Sequence, residues 1–369
     1  MIARILAVAC IALLLAACGQ ASPAQPTLAP TIEATSEAIS QPAAAGDLGA
    51  IKAYLTGKTA ELNGATAELQ QVADAYYALA KESNFDYAAM WANNPDQARQ
   101  LVEQGRAAWT KASPLYEQME GIVAGTPSLA QFDVDLDAGA SAEEDAENAV
   151  SFDIVLPDGR TLARPGNLFG VLESTLWGTY DSYRAPVEAD FDGNGSVEFG
   201  EALPDANVLK GAADLLTAKA GELDQAATGW SPTTSDAFTA LVVMVPTMNE
   251  CFGSWKDSRF VSGDASSQRD FVAISRLSDV QNILESLKIV HDGVSPLIQG
   301  VDPAQDQQID QGLSSLQSFV KGIHEQEVGG KRFTPEEADT LGAEAQNRAT
   351  AITGQITQVA AQLGITIQE

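Results

Sequence analysis

Apolar residues recur at steps of three, four and seven along most of this chain. Leu48, Ile51, Leu55, Leu62, Leu69, Val72, Tyr76 and Leu79 form one stripe on one long helix that begins near Asp47. A second helix is predicted over about 96–123, with Leu101, Trp109, Leu115, Met119 and Ile122 on its apolar side, and a third over about 167–184. Further helices are predicted at about 205–228, 234–252, 269–291, 304–326 and 335–363. The last has a clear start: Thr334 to cap free amides, Pro335 in the first turn and Glu337 to complete a capping box. Gly364 is its expected stop. Amphipathic helices joined by short links predict an all-α helical domain over 47–365. It is expected to be two four-helix-bundle halves, about 47–228 and 232–365.

Three stretches break the helical period. Val150 to Ala163 alternates and has Pro157-Asp158-Gly159 at its centre, which predicts a small β-hairpin insertion. Asp133 to Glu147 is dense in acids and reads as a solvated loop, with a weak cation site as the alternative. The third is DFDGNGSVEFGE, Asp190 to Glu201. It matches the twelve-residue EF-hand loop position by position. Asp190, Asp192 and Asn194 would supply side-chain oxygens, Ser196 its carbonyl, Glu198 a water-mediated contact and Glu201 both carboxylate oxygens. Gly195 stands where the loop turns sharply and Val197 where such loops carry an apolar residue. Pro186 and Pro204 keep the flanking helices short. No second loop of this kind exists to pair with it, as a sensor would need. The expected cofactor is calcium, and the expected role is a structural clip between the third and fourth helices.

The N-terminus sets an address. Arg4 precedes an apolar run, Ile5 to Ala17, that is short for a bilayer span and ends in Leu15-Ala16-Ala17-Cys18. This predicts a lipoprotein signal over 1–17 and lipidation of Cys18. Residues 18–46, rich in Ala, Pro, Thr, Ser and Gln, then act as a disordered tether. The protein is therefore expected to be extracytoplasmic and lipid-anchored to a bacterial membrane, in the periplasm or at the cell surface. After cleavage only Cys18 and Cys251 are left, so no internal disulfide is expected. The net charge of −29 argues against nucleic-acid binding and suits cations or simple solubility.

Several phrases, taken in order, resemble the imelysin-like family, especially its EfeO branch of extracytoplasmic iron-uptake proteins. Ala108 to Gly125 resembles the family's second helix with its Tyr-Glu-x-x-Glu phrase, here Tyr116, Glu117 and Glu120. Asn167 to Gly178 resembles the segment holding the family's Gly-x-His-x-x-Glu metal motif, followed here by Leu176-Trp177. The phrases around Glu250 and from Ser278 to Ile298 resemble the second half. The resemblance implies an all-helical, two-bundle protein linked to iron or other metal acquisition; some members were once described as peptidases. This chain departs at the motif's histidine, where Gly170 stands, while Glu173 is kept. Glu117, Glu120 and Glu173 are the expected second metal site, unless they are solvated or paired with Arg and Lys. A literal second match, Gly322 to Glu327, makes His324 and Glu327 an alternative site.

The expected function is a metal-binding lipoprotein, an imelysin/EfeO-like component of iron or other metal-ion uptake. Its partners would be metal ions, the membrane and a membrane permease or other uptake component, with no nucleic acid. The alternative is a structural or partner-binding relative that has lost the transport metal. A metallopeptidase fits poorly: the chain has two histidines, His291 and His324, no His-Glu-x-x-His and no Gly-x-Ser-x-Gly elbow. No enzymatic activity is expected, and Cys251 reads as core.

Overall fold

The stripe read from the first segment is the buried face of a 35-residue helix, α1 (Leu48–Glu82), capped by the Asp47 carboxylate on the amide of Ala50. A computed structural model describes residues 46–368 of the protein. Ile51, Leu55, Leu62, Leu69, Tyr76 and Leu79 are buried along that face. A short α2 (Tyr87–Asn93), which the apolar period did not predict, leads into α3 (Pro95–Val123), which lies where helix was expected. After α3 come α4 (Ala130–Asp133) and, without a break, a π-helical turn over Val134–Ala138. The expected hairpin forms from β1 (Asp153–Val155) and β2 (Thr161–Ala163), antiparallel, with Gly159 at φ +89° in its turn.

α5 (Leu168–Trp177) is shorter than the predicted 167–184 because Gly178, at φ +69°, ends it in a left-handed cap. The chain then pairs β3 (Arg184–Glu188) with β4 (Ala202–Pro204) in a second antiparallel ribbon. Next come α6 (Ala206–Gly229), α7 (Thr234–Met244) and α8 (Met248–Asp257). The single helix predicted at 234–252 is thus two. Pro246 lacks an amide for the ladder and crowds the preceding turn, so Val245–Thr247 tightens into a 3-10 turn. A short α9 (Arg259–Ser262) follows, then α10 (Arg276–Gln299), α11 (Pro303–Val328) and α12 (Pro335–Leu363). The helix predicted at 269–291 starts seven residues late, since the amides of 271–273 are bound elsewhere, as shown below. Thr334 and Glu337 form the expected capping box, and Gly364 the expected left-handed stop.

α1 lies between α3 and α6, and α5 packs on both α3 and α6. In the second half α10 contacts α7, α8 and α11, while α12 packs on α8 and α11. α3 and α10 join the two sets, and one continuous apolar core runs through both. Gly121 is the point of closest approach at this joint: a Cβ there would stand 2.5 Å from Ser286 Oγ. Among the described residues no helix is long and apolar enough to cross a membrane. Cys18 and the segments 1–17 and 18–45 lie outside the described residues.

Candidate metal centre

α3 packs on α10 and carries Glu117 and Glu120 three residues apart, so that both carboxylates share one helix face, with Tyr116 beside them. Opposite stand the π-helical turn with Asp137 and the first turn of α10 with Arg276 and Asp279. Glu117, Glu120, Asp137 and Asp279 are all buried, Glu117 to 1% exposure. One carboxylate oxygen from each of Glu117, Glu120 and Asp137 lies within 4.8 Å of the others. Glu117 Oε2, Glu120 Oε2 and Asp137 Oδ2 have no hydrogen-bond partner, and neither has Asp279 Oδ1. Buried carboxylate oxygens are almost always partnered, so this convergence needs a chemical reason.

One cation stands among them. Arg276 Nη1 is 3.5 Å from Glu117 Oε2, 3.8 Å from Asp137 Oδ2 and 3.4 Å from Asp279 Oδ2, with the Phe271 ring against its guanidinium. A single positive charge does not balance five nearby carboxyl groups, those of Glu117, Glu120, Asp133, Asp137 and Asp279. Burial, with Asp279 and Asp137 adding to it, holds the Glu117 carboxyl well above its usual range, although Arg276 opposes this. Burial likewise raises Asp137, and it pushes Asp133 and Asp279 up to about 7 against the pull of Arg276. Tyr116 Oη donates to Asp133 Oδ1 at 2.7 Å. A cavity of about 740 Å³ reaches this centre, with Glu120, Asp137, Gly170, Asp270 and Arg276 in its wall and Glu250 exposed at its edge.

The acid-rich stretch 133–147 is therefore not one solvated loop. Asp133, Asp135 and Asp137 turn inward because the π-helical turn continues α4 into the protein; Glu143, Glu144 and Glu147 face solvent as expected. Asp135 points to α6 instead, where Lys219 Nζ lies 3.2 Å away.

Glu173 does not join Glu117 and Glu120. Its Oε2 accepts the amide of Phe271 at 2.7 Å, and its Oε1 accepts those of Val272 at 2.9 Å and Ala273 at 2.8 Å. These bonds hold the segment before α10 out of helix. Burial and the neighbouring Asp270 push the Glu173 carboxyl up to about 8 despite the three amides. Gly170, at the imidazole position of the resemblance, lines the cavity; a Cβ there would meet Asn167 Oδ1 at 3.0 Å and Asp270 Oδ2 at 3.1 Å. Asp270 thus occupies the space beside the missing side chain.

The Asp190–Glu201 loop connects β3 to β4 rather than two helices. Asp190 Oδ1 and Oδ2 accept the amides of Gly193 and Gly195, both at 2.7 Å, and Gly195 sits at φ +88°. Asn194 Oδ1 accepts from the Ser196 amide at 2.8 Å. Glu201 folds back over the loop, taking the amides of Phe191 and Asp192 on Oε1 and that of Glu198 on Oε2. Oxygens of Asp190, Asp192 and Glu201 lie within 4.8 Å of one another. Val197 is 46% exposed, an apolar position with nothing packed over it.

His324 and Glu327 go to different partners. His324 Nδ1 is 2.9 Å from Gln281 Nε2, and Glu327 Oε1 accepts from Trp255 Nε1 at 2.6 Å. Cys251 is buried, as its core reading requires, and burial pushes its thiol up to about 11.

Asp270, Arg276 and Asp279 are members of the centre that the sequence did not single out, while Asp133 and Asp137 belong to the acid-rich stretch for which a cation site was the alternative. Arg276 and Asp279 carry a faint signal, since Ser275 ahead of them is a helix cap that places both in one first turn. A comparison with curated proteins finds none that matches this chain. The model of the family described as imelysin, which also bears the label Peptidase_M75, matches residues 50–360; that span holds every residue of the acidic centre, and the chain belongs to the imelysin family.

Proposed function

We propose that the centre formed by Glu117, Glu120 and Asp137 binds a hard, multiply charged cation. In this reading the protein is an extracytoplasmic lipoprotein, anchored through Cys18, that captures iron or a similar metal ion and passes it to an uptake component. The observation that carries the reading is the convergence of three buried carboxylates, each with an oxygen that makes no hydrogen bond, beside a single guanidinium. An ion of charge two or three would offset the excess negative charge and satisfy those oxygens together. All the donors are oxygen, because Gly170 brings no imidazole. Ferric iron, manganese or calcium suits such a set better than copper, nickel or zinc. The Asp190–Glu201 loop is proposed as a separate calcium clip that closes the β3–β4 ribbon.

The test is metal analysis of protein purified without added metal, then titration with ferrous and ferric iron in excess calcium. The reading expects iron to bind at one site and the variants Glu117→Gln and Glu120→Gln each to weaken it more than tenfold. Binding of calcium alone, or iron binding untouched by both substitutions, would overturn it.

A second reading rests on Arg276. Its guanidinium lies inside the cluster and is a built-in counter-charge, as expected of a relative that keeps the fold for partner binding and has lost the metal. The same titration separates the two. A peptidase reading has no support in the centre, where no histidine lines the cavity, and a proteolysis assay with a chelator control tests it.

A further inference from the structure

A second constellation lies where α10 turns into α11. His291 and Asp292 belong to α10, Asp306 and Asp310 to the first turns of α11. His291 is 2% exposed, yet neither Nδ1 nor Nε2 makes a hydrogen bond. Nε2 stands 3.2 Å from Asp306 Oδ1 without hydrogen-bond geometry, and that oxygen is itself unpartnered. The other oxygen of Asp306 is fixed, accepting from Ser295 Oγ at 3.0 Å and Gln299 Nε2 at 2.8 Å. On the far side of the ring, Nδ1 is 3.8 Å from Asp292 Oδ1. Donor atoms of His291, Asp292 and Asp310 lie within 4.8 Å of one another. They border a cavity of about 480 Å³, and the Asp292 and Asp310 side chains, 65% and 48% exposed, open it to solvent.

A buried imidazole with two idle nitrogens is not explained as a core residue, since such rings are normally held by at least one partner. A His–Asp hydrogen bond does not explain it either: Nε2 and Asp306 Oδ1 approach to 3.2 Å, yet neither makes the bond. The arrangement matches a recurring pattern in metal sites. One imidazole nitrogen takes the ion while the other donates to an oriented carboxylate, which fixes the ring and raises its basicity.

We propose that His291 Nδ1, Asp292 and Asp310 bind a divalent first-row transition ion, with Asp306 as the positioning carboxylate on Nε2. Lys288 holds Asp310 Oδ1 at 2.8 Å, so Oδ2 is the oxygen left for the ion. One nitrogen and two carboxylates suit zinc, cobalt or manganese, whereas the all-oxygen centre between α3 and α10 suits harder ions. The two sites share no residue, and this inference does not depend on the other.

The chain has two histidines, so histidine-selective isotope labelling gives an NMR spectrum with two imidazole sets. The full chain is titrated with zinc in millimolar calcium; His324→Gln assigns the sets. The His291 set should shift at about one equivalent of zinc while the His324 set stays fixed. In Asp292→Asn/Asp310→Asn, which alters only solvent-exposed carboxylates, zinc affinity should fall at least tenfold with the His291 signal still dispersed. Asp306→Asn should weaken binding by about ten- to a hundredfold, the range for partners that orient a ligand. Glu117→Gln and Glu120→Gln should leave the zinc response unchanged, whatever they do to iron. No movement of the His291 set at a twentyfold excess of zinc, a response of His324 alone, or full affinity in the double variant would overturn the proposal.

Discussion

Acidification should stabilise the ion-free protein, and bound ion should abolish the effect. Asp133 and Asp279 start near 3.8 in the unfolded chain and are pushed up to about 7 by burial in the folded one. A carboxyl raised on folding contributes stability that is full below its unfolded pKa and lost as pH climbs through the folded value. Between pH 5.5 and 7.5 each of these two groups gives up about 2 kcal/mol, or about 4 kcal/mol together. Glu173, pushed up to about 8, adds to the loss in the same window. His291 works the other way. Its proton affinity is lowered on folding, so the stability it withholds at low pH is recovered as the pH rises toward 6.5. The two aspartates alone, at about 2 °C per kcal/mol for a chain of this size, give a fall in Tm of about 8 °C, which the His291 gain reduces. The assay is thermal unfolding followed by circular dichroism at pH 5.5, 6.5 and 7.5, in chelator and again with ferric iron or manganese. Bound cation holds the carboxylates ionised, so its stabilisation should grow with pH and flatten the curve. An ion-free Tm that is level or rises from pH 5.5 to 7.5 would refute the argument, because the buried acids would then be charged and satisfied without an ion.

Glu173→Ala should leave three amides, one of them buried and two partly so, without an acceptor and cost about 2–4 kcal/mol in denaturant unfolding, with faster hydrogen exchange confined to 271–273. Gly121→Ala should cost about 1–3 kcal/mol by prising α10 from α3, since its new Cβ would lie 2.5 Å from Ser286 Oγ; an unchanged midpoint would contradict that joint. Calcium should raise the Tm of the chain, and Glu201→Ala should remove that increment, because the Glu201 carboxylate ties the end of the loop back to its start.

Local pattern made much of the fold legible. The stripe from Ile51 to Leu79 is buried as its spacing requires, and Thr334, Glu337 and Gly364 bound the last helix by the chemistry of their own side chains. Where the reading failed, a partner distant in sequence decided the outcome. Nothing near residue 271 announces that a carboxylate from α5 will claim three successive amides, so the apolar period alone predicts helix too far toward the N-terminus of α10. Pro246 is a local signal that the helix predicted over 234–252 did not take into account. The centre was half legible for the same reason. Glu117 and Glu120 share a helix face by spacing alone, but Asp137 reaches them only because a π-helical turn rotates a run of acids that otherwise resembles a solvated loop. Glu173 had the right neighbours in sequence and a different task in space.

The most direct measurement of the central claim is an anomalous difference map from crystals grown with manganese or ferric iron. The account expects a peak between Glu117, Glu120 and Asp137, within bonding distance of the three oxygens that now lack partners. A map with no peak there, while the Asp190–Glu201 loop fills with calcium in the same crystal, would contradict it and leave Arg276 as the only cation this centre holds.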